Sequence, residues 1–163
     1  MTTDHIDFTF GAQTILSYKR LSYTSYYALA EYVDNSFQSY SNSRLITKDW
    51  PEDEKLEISI TYDKNEKLLR ITDNARGMSR DELDRALKVG TPPPNASGLS
   101  EYGMGMKTAS CWFGDKWSIR TKELGSETEY YIEVDVNKVA KGNTEMNVKE
   151  KAKDKDLHYT IIE

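Results

Sequence analysis

The sequence predicts an α+β fold, a two-layer sandwich of helices on a mostly antiparallel sheet, and three observations predict it. Leu56, Ile58, Ile60 and Tyr62 alternate with polar residues, the pattern of a half-buried strand. Two further strand-like runs, residues 117–122 and 128–136, flank the turn residues Glu123-Leu-Gly125 and form a second hairpin. Helix-period segments lie in other stretches, at 24–41, 79–89 and 104–113. Hairpins in some stretches and helices in others favour a layered α+β arrangement.

Taken in chain order, residues 9–19 are weakly patterned and read as a short strand and helix. Thr24 or Ser25 can cap a helix to about residue 41. Its apolar positions Tyr26, Leu29, Ala30, Val33, Phe37 and Tyr40 recur at threes and fours and predict the buried stripe. Glu31, Asn35 and Gln38 then share a different face. Residues 41–54 are polar, contain Pro51 and read as loop. The strand over 55–63 turns at Asp63-Lys-Asn65-Glu and returns over 67–72. Ser79-Arg-Asp-Glu82 is a capping box opening a helix to about Val89, which Gly90 ends. Thr91-Pro-Pro-Pro-Asn-Ala-Ser-Gly98 excludes regular structure. Beyond the third helix and second hairpin, residues 142–156 are charged and read as loop, and 157–162 as a last strand. The chain stops at that strand, an expectation of one domain over 1–163 taken from the N-terminal part of a longer protein.

Composition narrows the function classes. A chain of 163 residues is long enough to bury a core, and 30% charged residues describe a well-solvated surface. No apolar run approaches the roughly 18 residues of a membrane span. Met-Thr-Thr-Asp-His lacks the basic and apolar regions of a secretory signal, so a cytoplasmic protein is expected, or a nuclear one in a eukaryote. Cys111 alone cannot form an intramolecular disulfide and reads as a small buried hydrophobe. A net charge of −5 argues against strong nucleic-acid binding by this domain. Trp112, Trp117 and the tyrosines read as core and sheet packing rather than a base-stacking platform. His5 and His158 have no metal-ligand spacing.

Three segments carry chemistry. Glu31 and Asn35 stand at i and i+4, so their side chains point the same way from a helix. The carboxylate can orient or deprotonate a water, and the amide oxygen can hold Mg²⁺ against phosphate; the plain alternative is a solvated helix face. Asp34 stands beside this face. Asp73 follows a strand, where a buried carboxylate can accept from an exocyclic amine and favour adenine over guanine. Gly77 permits close backbone approach and Met78 offers an apolar face to a planar base; the plain alternative is an ordinary turn before Ser79. Gly103-Met-Gly105 opens a helix, whose amides and dipole favour phosphate, and Lys107 can neutralise terminal phosphate charge. A P-loop is excluded because Met106 separates Gly105 from Lys107-Thr108. A dinucleotide fingerprint is excluded because Thr108 stands where a third glycine is needed.

Ordered E-x-x-x-N, D-x-x-x-G-M and G-x-x-x-x-G-x-G boxes over roughly residues 24–119 resemble the GHKL ATPase superfamily of Hsp90, MutL, type II topoisomerases and histidine kinases. Ala30-Glu-Tyr-Val-Asp-Asn35-Ser and Glu101-Tyr-Gly-Met-Gly-Met-Lys107 look closest to its MORC-like and Hsp90-like branch. The resemblance implies a Bergerat fold with a mixed sheet, binding ATP and Mg²⁺ under a lid at about 91–102. By motif position, Glu31 would be the general base and Asn35 the Mg²⁺ ligand. Asp73 would read the adenine amine, with Gly77 and Met78 lining the base pocket and Thr160 near the aspartate. Gly98, Tyr102, Gly103, Met104, Gly105, Met106, Lys107 and Thr108 would line the phosphate side. Ala75 replaces a glycine usual in the family, which would bring strain if that backbone needs positive φ.

The function expected is Mg²⁺-dependent ATP binding and slow hydrolysis that drives lid closure and homodimerisation of a larger protein. Nucleic acid would be reached only through regions outside this domain, and no membrane is involved. The alternative is a non-hydrolysing nucleotide-sensing module that regulates an attached effector. A histidine-kinase catalytic domain fits less well, because Glu31 suits water activation better than phosphoryl transfer. A plain interaction domain whose glycine-rich loop takes no phosphate is the remaining reading.

Overall fold

Strand register explains the fold of the protein. The computed structural model describes residues 11–22, 24–46, 50, 53–88 and 104–163. β1 (Ile58–Asp63) and β2 (Leu68–Asp73) form the first hairpin, and β3 (Lys116–Lys122) and β4 (Thr128–Asp135) the second. β6 (Tyr159–Ile162) joins the two, pairing Asp73 with Thr160 on one side and Thr121 with Thr160 on the other. With β5 (Lys149–Ala152) the order is β1-β2-β6-β3-β4-β5, and every ladder among the described residues is antiparallel.

Alternation sends Ile71, Ile119, Ile132, Val134 and Ile162 to one face, where they are buried. Burying an aliphatic side chain of this size stabilises by about 1.5–3 kcal/mol. Ala28 and Tyr32 of α2 (Ser25–Ile46), Leu83 of α3 (Arg80–Leu87) and Ala109 and Cys111 of α4 (Gly105–Phe113) close the same core. Near the start of the chain, a 3-10 turn Ala12–Thr14 and the short α1 (Ile15–Tyr18) pack near α4 and α5 (Val136–Ala140). The opposite sheet face is polar: Arg120 and Lys149 each lie 5.1 Å from the Tyr131 ring centre, and Tyr131 donates to Glu133 at 2.7 Å. Among the described residues, helices cover one face only.

Three expectations are corrected. α2 runs five residues past 41, to Ile46, and its buried row is Ala28, Tyr32, Ser36 and Ser43. Most of the expected stripe faces outward, with Tyr26 62%, Phe37 54% and Val33 37% exposed and Ala30 exposed beside them, while Leu29 packs against the core and Tyr40 is half-buried. Small residues allow close approach, and Tyr32 and Ser36 find polar partners inside, which outweighs the greater apolar area of the other row. Within 142–156, residues Lys149–Ala152 form β5 rather than loop. All four are exposed, so no alternation marks them; charge suits an edge strand. Lastly, α5 follows β4 directly because the Asp135 carboxylate caps it, accepting from Asn137 N and Lys138 N at 3.1 Å each. The capping box at Ser79 forms as expected, with Glu82 N donating to Ser79 Oγ at 3.2 Å and Ser79 N to Glu82 Oε2 at 2.9 Å. No helix among the described residues is long and apolar enough to cross a membrane.

Candidate active site

α2 carries one end of the site on each of two adjacent rows. On the half-buried row, Asn35 Nδ2 donates to Glu31 O at 2.6 Å, and its amide Oδ1 is an oxygen of the kind a hard cation takes. The Glu31 carboxylate reaches the first residue of α4. A Cβ built on Gly105 would stand 2.7 Å from Glu31 Cδ and closer still to Oε2, so only glycine admits the carboxylate there. Met104 caps this helix with no side-chain hydrogen bond, and an anion beside its positive end is favoured. On the buried row, the Tyr32 hydroxyl and Ser110 Oγ meet at 2.9 Å and fasten α2 to α4. Burial pushes the Tyr32 phenol up to about 12, so it stays a neutral donor or acceptor.

The other end is the terminus of β2. Asp73 is 8% exposed; its Oδ1 accepts from Ala75 N at 2.9 Å and its Oδ2 lies 2.8 Å from Ser36 Oγ. The single Ser36 proton serves this carboxylate or Tyr32 O, 3.0 Å away. Burial raises the Asp73 pKa; hydrogen bonds from Ser36, Ala75 and Thr160 and the charge of His158 oppose that rise. Thr160 is paired with Asp73 in the ladder, and its hydroxyl lies 3.2 Å from Thr121 Oγ1. Met78 N donates to Thr121 Oγ1 at 2.8 Å, and Met78 packs against the core. Gly77 has φ +76°, and its Cα faces the Lys122 carbonyl so closely that a Cβ would stand 2.5 Å from the carbonyl carbon. Ala75 is not among the residues of positive φ, so the alanine there carries no such strain.

The residues expected on the phosphate side divide. Gly98, Tyr102, Gly103 and the lid at 91–102 lie outside the described residues. Gly105 adjoins Glu31, Met104 is 36% exposed, and Met106 packs against the core. Thr108 turns its hydroxyl back to Gly105 O at 2.9 Å and Met104 O at 3.1 Å. Lys107 is buried, its Nζ donating to Ala86 O at 2.8 Å in the last turn of α3, and burial lowers its pKa to about 8. Burial likewise pushes the Cys111 thiol up to about 11, which keeps it an inert hydrophobe.

Structure thus brings Glu31, Asn35 and Gly105 together at one end and Asp73, Gly77, Met78 and Thr160 at the other, with Tyr32 and Ser36 between. Sequence reasoning missed Ser36, whose only signal is its place one turn after Tyr32 and beside Asn35. It also missed Thr121, which enters through strand register alone. Among the described residues no group of three or more His, Cys, Asp or Glu gathers as a metal site. A single amide oxygen fits Mg²⁺, which keeps several waters and binds chiefly to substrate phosphates. A cleft of about 600 Å³ lined by Ser59, Thr72, Tyr159 and Ile161 opens on the polar sheet face and shares only Asp73 with these residues, so it is not the same site.

Residues 23–161 match the family described as histidine kinase-, DNA gyrase B-, and HSP90-like ATPase. That span is most of the chain, and the chain belongs to this family.

Proposed function

We propose that this ATPase-family chain binds ATP with Mg²⁺ between α2, α4 and the end of β2, and hydrolyses it slowly to ADP and phosphate. The observation that carries the reading is that α2 places the Glu31 carboxylate at the start of α4 while Ser36, five residues on, meets Asp73. One helix thereby serves both ends of the nucleotide.

Asp73 accepts from the adenine amine, which a guanine carbonyl cannot offer. Gly77 and Met78 line the base, with Thr160 beside the aspartate. Asn35 Oδ1 holds the Mg²⁺, which neutralises phosphate charge when bound. Gly98, Tyr102 and the run Gly103–Thr108 form the phosphate side, where the amides opening α4 take oxygen and Lys107 supplies a cation. Glu31 takes a proton from the attacking water as its oxygen bonds to the terminal phosphorus and the bond to ADP breaks. ATP orders the lid at 91–102, the ordered lid favours homodimerisation in a larger protein of the MORC-like or Hsp90-like branch, and hydrolysis resets it.

Calorimetry and phosphate release test this together. Glu31→Ala is expected to bind ATP within a few-fold of the parent and lose turnover, while Asp73→Asn loses binding. ATP binding without turnover in the parent protein favours the nucleotide-sensing alternative. Equal affinity for GTP removes the role given to Asp73, and no heat at millimolar ATP overturns the whole reading.

A further inference from the structure

The acidic turn after β2 is braced by a buried histidine that the proposed chemistry does not use. His158 precedes β6 and is 9% exposed. Its Nδ1 lies 3.1 Å from Ala75 O and its Nε2 lies 3.1 Å from Glu54 Oε2. Both partners are acceptors: a carbonyl has no proton to give, and a carboxylate has none. A neutral imidazole carries one N–H and can satisfy only one of them. Both bonds form together only when the pair holds one more proton than a neutral ring and a carboxylate. The indole of Trp50 packs on the ring at 5.0 Å between centres, a setting that favours a cation. Among the described residues, the carboxylates of Glu54, before β1, and Asp73, at the end of β2, act on His158 from other elements, and Lys122 Nζ of β3 donates to the carbonyl of the preceding Leu157 at 3.0 Å.

Glu54 extends the brace. Its Oε1 accepts from Asn74 Nδ2 at 3.1 Å, and Asn74 Oδ1 accepts from Glu57 N at 2.7 Å. Its backbone carbonyl accepts from the Tyr40 hydroxyl of α2 at 3.0 Å. Asn74 and Ala75, the two residues after Asp73, are therefore both held through the Glu54–His158 pair. Ala75 N is in turn a donor to the Asp73 carboxylate.

We propose that His158, protonated between Glu54 and the Ala75 carbonyl, is a positioning residue that sets the acidic turn for adenine. Losing the shared proton turns an Nε2 lone pair toward the Glu54 carboxylate, and the brace on Ala75 loosens. Adenine-nucleotide affinity then falls. The inference rests on the adenine-reading role proposed for Asp73.

Two substitutions separate positioning from mere structure. Glu54→Gln keeps the oxygen that accepts from Asn74 and turns an amide N–H to Nε2, so a neutral ring satisfies every bond. His158→Phe keeps the ring against Trp50 and removes both bonds. ADP affinity is expected to be several-fold weaker in His158→Phe than in the parent, while Glu54→Gln, which keeps every bond, should hold the parent affinity. Imidazole ¹⁵N spectra, with only two histidines in the chain, should show both ring nitrogens of His158 protonated in the parent and a single neutral tautomer in Glu54→Gln. A neutral His158 in the parent, or an ADP affinity in His158→Phe equal to that of the parent, overturns the proposal. Absence of ADP binding in the parent with the doubly protonated signal present overturns the nucleotide site instead.

Discussion

Replacing Gly105 with alanine adds one methyl group where the Glu31 carboxylate now lies. The new Cβ would stand 2.7 Å from Glu31 Cδ and 3.5 Å from Cγ. Carbon atoms pack at about 3.5–4.0 Å, so the carboxyl carbon must retreat by about 1 Å. Because the obstructing atoms end a flexible side chain, the fold can absorb this. Alanine also gains up to about 1 kcal/mol over glycine in a helix. The net stability change is therefore expected within about 1 kcal/mol, a Tm shift of no more than about 4 °C. Turnover should suffer far more, since a misplacement of about 1 Å at a reacting group costs up to ~100-fold. The assay is a double-mutant cycle with Glu31→Ala, followed by phosphate release and by urea denaturation. With the carboxylate gone the methyl meets no obstacle, so Gly105→Ala should stabilise the Glu31→Ala protein by more than it stabilises the parent. A turnover within twofold of the parent, or the same stability change in both backgrounds, refutes the claim that Gly105 seats Glu31.

Gly77→Ala should behave oppositely, because its Cβ meets backbone that cannot yield and its φ is +76°. A loss of about 3 kcal/mol in urea denaturation is expected, and a loss below about 1 kcal/mol would contradict the close approach. Lys107 has its folded-state pKa lowered from 10.5 to about 8 by burial. The unfolded chain holds this proton and the folded one does not between those values, so stability rises with pH there, by up to about 3 kcal/mol. Lys107→Met should remove that rise, read as a parent-minus-variant difference that changes between about pH 7.5 and 10; an unchanged difference contradicts it. Asp73 has its pKa raised above 3.8 chiefly by burial. The folded state then holds a proton that the unfolded state has released, so this group's contribution falls as pH rises from near 3.8 to the raised value. Asp73→Asn, which still offers Ala75 N an acceptor, should be at least as stable as the parent at pH 7; marked destabilisation on thermal melting would contradict the desolvation account.

Alternation and capping carried the fold far. Leu56 to Tyr62 and the run before Asp73 gave the first hairpin, though Ile60 and Tyr62 are exposed rather than half-buried, and Ser79 with Glu82 gave the helix start, because each is a local pattern with a local physical cause. What failed was anything decided by a distant partner. β5 pairs with β4 through backbone groups that its side chains do not advertise. The Glu54–His158 contact spans 104 residues, so no sequence spacing signals it.

The sequence alone determined which residue types the site holds: a helical carboxylate and amide, an acidic strand end, and a glycine that opens a helix. Only the tertiary structure decided which face of α2 meets the sheet, and through it how those types meet. Periodicity sets the spacing of a face but does not choose between two faces that both carry apolar residues. The choice fell to small residues and to hydroxyls with buried partners, since Ser36 reaches Asp73 and Tyr32 reaches Ser110 only when that row turns inward. The same rotation carries Glu31 to Gly105, which is why the glycine in the third segment is explained by the carboxylate in the first.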